Sequence, residues 1–195
     1  MSARAPRFDP SGRLREALAY AAELHARQTR KGTDTPYVAH LLGVCALVIE
    51  HGGGEDEAIA ALLHDAPEDQ GGRETLETIR ARFGARVASL VEACSDTLET
   101  PKPPWRARKE RYLAHLEHAG DAARLVSAAD KLYNARTVLD DLREVGSSVF
   151  ERFTGRKEGT LWYYRALSER FTRLGPRALA AELERVVSEM ERLSC

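Results

Sequence analysis

An all-α fold is predicted by three features. Apolar residues recur at three-to-four spacing almost throughout, no useful length of β-branched residues alternates with polar ones, and glycine and proline clusters cut the periodic stretches into helix-sized pieces. Leu14, Ala17, Leu18, Ala21, Ala22 and Leu24 place a first helix, and Val38, Leu41, Leu42, Cys45, Val48 and Ile49 a second. The run Gly52-Gly53-Gly54 stops the second helix, because glycine favours helix ends. A third runs from Glu55 to His64 with Ile59, Leu62 and Leu63 on one face. Two short helices follow over 73–82 and 85–97, jointed at Gly84. Thr100-Pro101-Lys102-Pro103-Pro104 is a firm break, since proline lacks a donor and forces extended backbone before it. Helix resumes at Trp105 to about Glu117, then from an N-cap at Asp121 through Leu142, and finally over 158–174 and 177–193 around Gly175-Pro176.

The 195 residues fit one domain with a sizeable core. Residues 1–12 read as a mobile N-terminal extension and 13–195 as the domain. Lys102, Arg106, Arg108, Lys109 and Arg111 cluster after the proline loop, but the formal charge is only −1. No global basic field exists to hold nucleic acid, so that class of partner is not expected. No apolar stretch spans a bilayer, and the N-terminus lacks a secretory core. Cys45, Cys94 and Cys195 are odd in number, widely spaced and without CxxC, and read as free thiols of a reducing cytoplasm.

His40, His64-Asp65 and Asp130 are the candidate metal ligands, with Glu68 and Asp69 close behind. Imidazole nitrogen and carboxylate oxygen together suit a borderline-to-hard divalent ion. His40 alone is equally a core histidine bonded to a carbonyl. Asp130 is more telling, because Leu125, Val126, Ala128 and Ala129 flank it. A carboxylate on an apolar helical face is costly unless a metal or a buried cation pairs with it. Pro67 implies a kink or a helix end between His64 and Asp69, with the segment curling around the ion. If the four groups converge, the chemistry they offer is metal-assisted hydrolysis of a phosphate ester, with Glu68 or Asp69 orienting water.

These residues resemble the HD metal-dependent phosphohydrolase superfamily. Within it, His64-Asp65-x-x-Glu68-Asp69 is similar to the H-D-x-x-E-D signature of RelA/SpoT-type alarmone hydrolases. His25-Ala26-Arg27-Gln28-Thr29-Arg30-Lys31-Gly32, Pro36-Tyr37-Val38-Ala39-His40 and Ala129-Asp130-Lys131-Leu132-Tyr133-Asn134-Ala135-Arg136-Thr137 resemble that family's flanking segments, in the same order. The resemblance implies a helical HD fold of about nine to ten helices and a manganese ion on His40, His64, Asp65 and Asp130. It further implies release of pyrophosphate from the 3′ position of ppGpp or pppGpp, with Glu68 and Asp69 acting on the water. Arg30 and Lys31 would pack on the guanosine, Asn134 would contact the ribose-phosphate region, and Thr137 would line the base pocket. Ser127-Ala128-Ala129 departs from the Lys-Leu-Ala usual before the family's Asp, which bears on substrate identity.

From the basic cluster, Lys109 and Arg111 are the expected phosphate contacts. Arg136 is expected to pair with Asp140, and Trp162-Tyr163-Tyr164 reads as core packing or a nucleobase wall. Two other functions remain open: an HD phosphatase or nucleotidase acting on another nucleotide such as NADPH, and a non-catalytic nucleotide-binding HD protein.

Overall fold

Apolar periodicity is translated into ten α-helices and one 3-10 segment among the described residues, which are 10–99 and 101–194 of a computed structural model. Residues 1–9 of the expected N-terminal extension, Thr100 and Cys195 lie outside them. Beyond one isolated bridge between Thr29 and Pro36, the described residues contain no strand pairing.

The first helix, α1 (Gly12–Leu24), starts at Ser11, whose hydroxyl accepts from the Arg13 amide at 3.0 Å. The second, α2 (Val38–Glu50), leads into α3 (Glu55–Leu63), which is the centre of the fold. Six consecutive residues of α3, Ala58 to Leu63, are buried. A helix that is apolar on every side belongs inside the core, and α1, α2, α6 (Ala85–Cys94) and α8 (Asp121–Val145) all pack against it. Alanines on α1 (Ala17, Ala21) and α3 (Ala58, Ala60, Ala61) permit close approach. The N-terminal end of α3 is closed by Glu57, whose Oε2 accepts from the Gly54 amide at 2.9 Å. The remaining helices are α4 (Ala66–Gln70), α5 (Gly72–Phe83), α7 (Trp105–Leu116), α9 (Arg156–Leu174) and α10 (Arg177–Ser194). A 3-10 segment, Gly146–Arg152, joins α8 to α9. α8 and α10 pack along each other, and α7 rests on α9. No helix among the described residues is long and apolar enough to cross a membrane.

Several local expectations are corrected. α6 ends at Cys94 rather than 97: Ser95 is extended (ψ 134°) and its hydroxyl turns back to the Val91 carbonyl at 3.1 Å, the competition that serine offers a helix end. α8 is N-capped by Gly120, not Asp121. The Asp121 carboxylate instead takes Arg124 at 2.7 Å within the first turn. The helix continues past Leu142 to Val145, where Gly146 (φ +65°) ends it. Arg136 donates to Glu182 on α10, not to Asp140. The side-by-side packing of α8 and α10 gives that guanidinium a partner across the interface.

Pro67 sits in the first turn of α4, where its missing N–H has no intrahelical bond to lose. The expected helix end is found: α3 stops at Leu63, Asp65 precedes α4, and the Asp69 amide donates to the Asp65 carbonyl at 3.0 Å. Two close approaches shape the site's surroundings. A Cβ on Gly43 of α2 would lie 2.0 Å from the Tyr133 ring of α8. Cβ atoms on Gly155 and Gly159 would lie 2.8 Å and 3.2 Å from the Trp105 indole.

Truncating Leu62→Ala in α3 is expected to cost about 2–5 kcal/mol in chemical denaturation, through lost burial and a cavity. Gly43→Ala is expected to cost about 1–3 kcal/mol by overpacking against Tyr133. A neutral result for either, measured from denaturation midpoints at constant slope, would show that the neighbouring helices relax freely.

Candidate metal centre

Three segments bring four groups together. His40 comes from the first turn of α2, His64 and Asp65 from the link between α3 and α4, and Asp130 from the middle of α8. His40 and His64 are buried, as is Asp130, while the Asp65 side chain is 23% exposed. His40 Nε2 lies 3.4 Å from each of His64 Nε2, Asp65 Oδ2 and Asp130 Oδ1. His64 Nε2 lies 3.0 Å from Asp65 Oδ2 and 3.5 Å from Asp130 Oδ1.

The donor set fits a divalent cation on two grounds. His64 Nδ1 faces the Ala61 carbonyl at 2.8 Å, so that nitrogen carries the proton and Nε2 presents a lone pair to the cluster. Nε2 of the other imidazole and two carboxylate oxygens converge on it, an arrangement that a shared positive charge stabilises. Metal–ligand bonds of about 2.1 Å put ligand atoms about 3.0–3.4 Å apart, close to the spacings within His40, His64 and Asp65, whose donor atoms all lie within 4.8 Å of one another, with Asp130 near both imidazoles. Electrostatics agree. Burial opposes charge on His64, yet the Asp65 and Asp130 carboxylates outweigh it and hold its pKa well above the histidine range. Burial likewise opposes ionisation of Asp65 and Asp130, but His64 beside the first, and Lys131 and His64 beside the second, hold both well below the carboxylate range.

Neighbouring bonds aim these groups. Lys131 Nζ donates to Asp130 Oδ2 at 2.6 Å and Asn134 Nδ2 to Asp130 Oδ1 at 2.5 Å. Tyr37 donates to Asp65 Oδ2 at 2.5 Å. Burial and the adjacent Asp65 push the Tyr37 hydroxyl far above its ordinary pKa, so it stays a donor. Glu68 Oε1 accepts from the Asp96 amide, and Glu68 Oε2 is 3.8 Å from Lys102 Nζ. Burial, then repulsion by Asp65, raises the Glu68 carboxyl to about 7 against the pull of nearby lysines. Asp69 is exposed and takes Gln28 Nε2 at 2.7 Å.

A cavity of about 410 Å³ adjoins the cluster, with Tyr37, Lys131 and Asn134 shared between its wall and the bonds just described. Of the expected substrate contacts, Arg30, Lys31, Asn134, Thr137 and Lys109 line it, and so does Asp69. Arg30 donates to Asn134 Oδ1 at 2.6 Å, which links the rim to Asp130 in two bonds. Arg111 lies apart: it points outward and pairs with Glu99 at 2.7 Å. Two positions on along α7, about 200° around the helix, it faces away from the side that carries Lys109. Lys109 is drawn to Asp96 at 3.2 Å, and burial together with Lys131 lowers its ammonium to about 7. Tyr163 and Tyr164 are buried and also form part of the cavity wall, so packing and wall are one role. Sequence reasoning assigned nothing to Tyr37, Lys131 or Gln28. All three fall within the quoted motifs, but their types alone do not distinguish a ligand's partner from a surface residue.

A model of the HD domain matches residues 17–161. The guanosine-3′,5′-bis(diphosphate) 3′-pyrophosphohydrolase MESH1 of Xenopus tropicalis is 43% identical over 124 residues, 62% of this chain and 66% of that protein. Its Homo sapiens namesake is 39% identical over 129 residues, 65% of this chain and 69% of that protein. The matched region thus spans about two thirds of these relatives' length. A solved structure, described as a metazoan orthologue of SpoT that hydrolyses ppGpp and plays a role in starvation responses, has a TM-score of 0.76 at 26% identity, covering 96% of this chain and 99% of that one. With the domain model matching most of its length and relatives named MESH1 at 39–43% identity, the chain belongs to the HD-domain family, on the branch that contains the MESH1 proteins.

Proposed function

We propose that this chain hydrolyses guanosine 3′,5′-bis(diphosphate), ppGpp or pppGpp, to GDP or GTP and pyrophosphate. The observation that carries this reading is the meeting of His40, His64, Asp65 and Asp130 beside a cavity lined by Arg30, Lys31, Lys109 and Lys131. The relatives' named activity supports it. Residues 13–195 act as one hydrolase domain in this proposal, in a reducing cytoplasm where the buried, unpaired Cys45 and Cys94 stay as thiols.

His40, His64, Asp65 and Asp130 hold the ion in this reading, and Mn²⁺ suits their nitrogen and oxygen donors. When bound, the ion supplies Lewis acidity toward a phosphoryl oxygen and favours ionisation of water. The rest falls to the chain's own side chains. Glu68, clamped at one oxygen by the Asp96 amide and poised near neutrality, accepts a proton from the attacking water. Asp69, braced by Gln28, orients that water from the rim. Arg30 and Lys31 receive the guanosine end, and Lys109 with Lys131 meets phosphate charge. Asn134 and Thr137 complete the wall toward ribose and base.

Chelator-stripped protein is expected to release pyrophosphate from ppGpp only after a divalent ion is restored, with Mn²⁺ effective. Comparable phosphate release from NADPH would move the substrate assignment. Asp130→Ala is expected to abolish both ion binding by calorimetry and turnover. Glu68→Gln is expected to keep ion binding and lower kcat by about 10²–10⁴; retained turnover removes Glu68 from the mechanism. Ion affinity is expected to rise between about pH 6 and pH 8, because the ion displaces a proton held on His64 by the two aspartates. Affinity that is flat over that range contradicts this competition.

A further inference from the structure

The four candidate ligands are not equally secured. His64 is tied to the Ala61 carbonyl at 2.8 Å. Asp130 has a donor on each oxygen, Lys131 and Asn134. His40 is fully buried between the rings of Tyr37, His64 and Tyr133, at centroid distances of 5.4, 5.2 and 5.2 Å. Asp65 is the most exposed of the set, 23% against 6% or less for the others. Outside the two imidazoles, the donor on its carboxylate among the described residues is the Tyr37 hydroxyl, at 2.5 Å. That bond falls on Oδ2, the same oxygen that faces both His40 and His64.

Tyr37 is itself held. Its ring stacks on His25 (5.1 Å, 18° between planes), and His25 is fixed by Gln28 Oε1 at 2.7 Å. The ring also meets His40 edge-on and lies 5.7 Å from the Arg30 guanidinium. Its backbone immediately precedes α2, so the residue that aims Asp65 also begins the helix that carries His40.

We propose that Tyr37 is a positioning residue of the metal centre: its hydroxyl aims Asp65 Oδ2 at the ion. The inference rests on the metal-site reading above. Partners of this kind contribute about 10–100-fold to metal affinity.

The test is Tyr37→Phe, which keeps the ring and its stacking and removes one oxygen. Mn²⁺ and Co²⁺ affinities of chelator-stripped wild type and variant are compared by calorimetry, alongside the visible spectrum of the Co²⁺ forms. The expected result is a Kd weakened by about tenfold or more, a changed Co²⁺ spectrum, and an unchanged thermal melt of the metal-free protein. In an Asp65→Ala background, which removes the acceptor, Tyr37→Phe is expected to add no further loss, as coupling through Asp65 requires. Equal affinities and identical Co²⁺ spectra overturn the inference while leaving the metal site in place. So does an additive loss in the Asp65→Ala background, or a lowered metal-free melt, since either shows Tyr37 acting through the fold. Wild type that binds neither ion overturns the metal-site reading as well.

Discussion

Two imidazole nitrogens and two carboxylate oxygens crowded together at 3.0–3.5 Å set the terms for the whole molecule. In a buried setting such a cluster is repulsive until a positive charge occupies its centre. Nearby cations do part of this work. Lys131 sits against Asp130, and Lys109 and Lys102 lie within reach of Glu68. The helical core does the other part, by holding α2, α3 and α8 so that no ligand can swing away. The all-buried α3 is therefore more than filler: it ends at the point where His64 and Asp65 must emerge, and Pro67 makes that end sharp.

The site divides into a floor carried by helices and a rim carried by connecting segments. His40, His64 and Asp130 belong to the floor. The rim comes from residues 28–37 and from the stretch after α6, and two contacts join it to the floor. Arg30 reaches Asp130 through Asn134, and the Asp96 amide reaches Glu68 while its carboxylate gathers Arg108 and Lys109. Glu68 and the basic face of α7 are thus positioned by one residue that sits in neither.

Much of this was legible in the residue string. The helices follow from periodicity because their apolar faces pack on a common core, and the candidate ligands stand out because a lone carboxylate amid Val126, Ala128 and Ala129 demands an explanation. What escaped depends on side chains distant in sequence. Arg136 was matched to an acid four positions on, but α10 brings Glu182 nearer. Arg111 looked like a member of a basic cluster, yet only Lys109 turns inward. The end of α6 at Cys94 rests on Ser95 turning back to Val91 and on the Asp96 amide meeting Glu68, and the second of these is a partner distant in sequence.

Trp105 lines the cavity while its far edge rests where Gly155 and Gly159 lack side chains. The breadth of the chamber is accordingly governed by two hydrogens. Because nothing larger stands at those positions, the indole sinks toward α9 and draws the lysine-bearing helix with it, so the seat for a nucleotide is tailored from behind its wall, at residues that no bound molecule would ever touch.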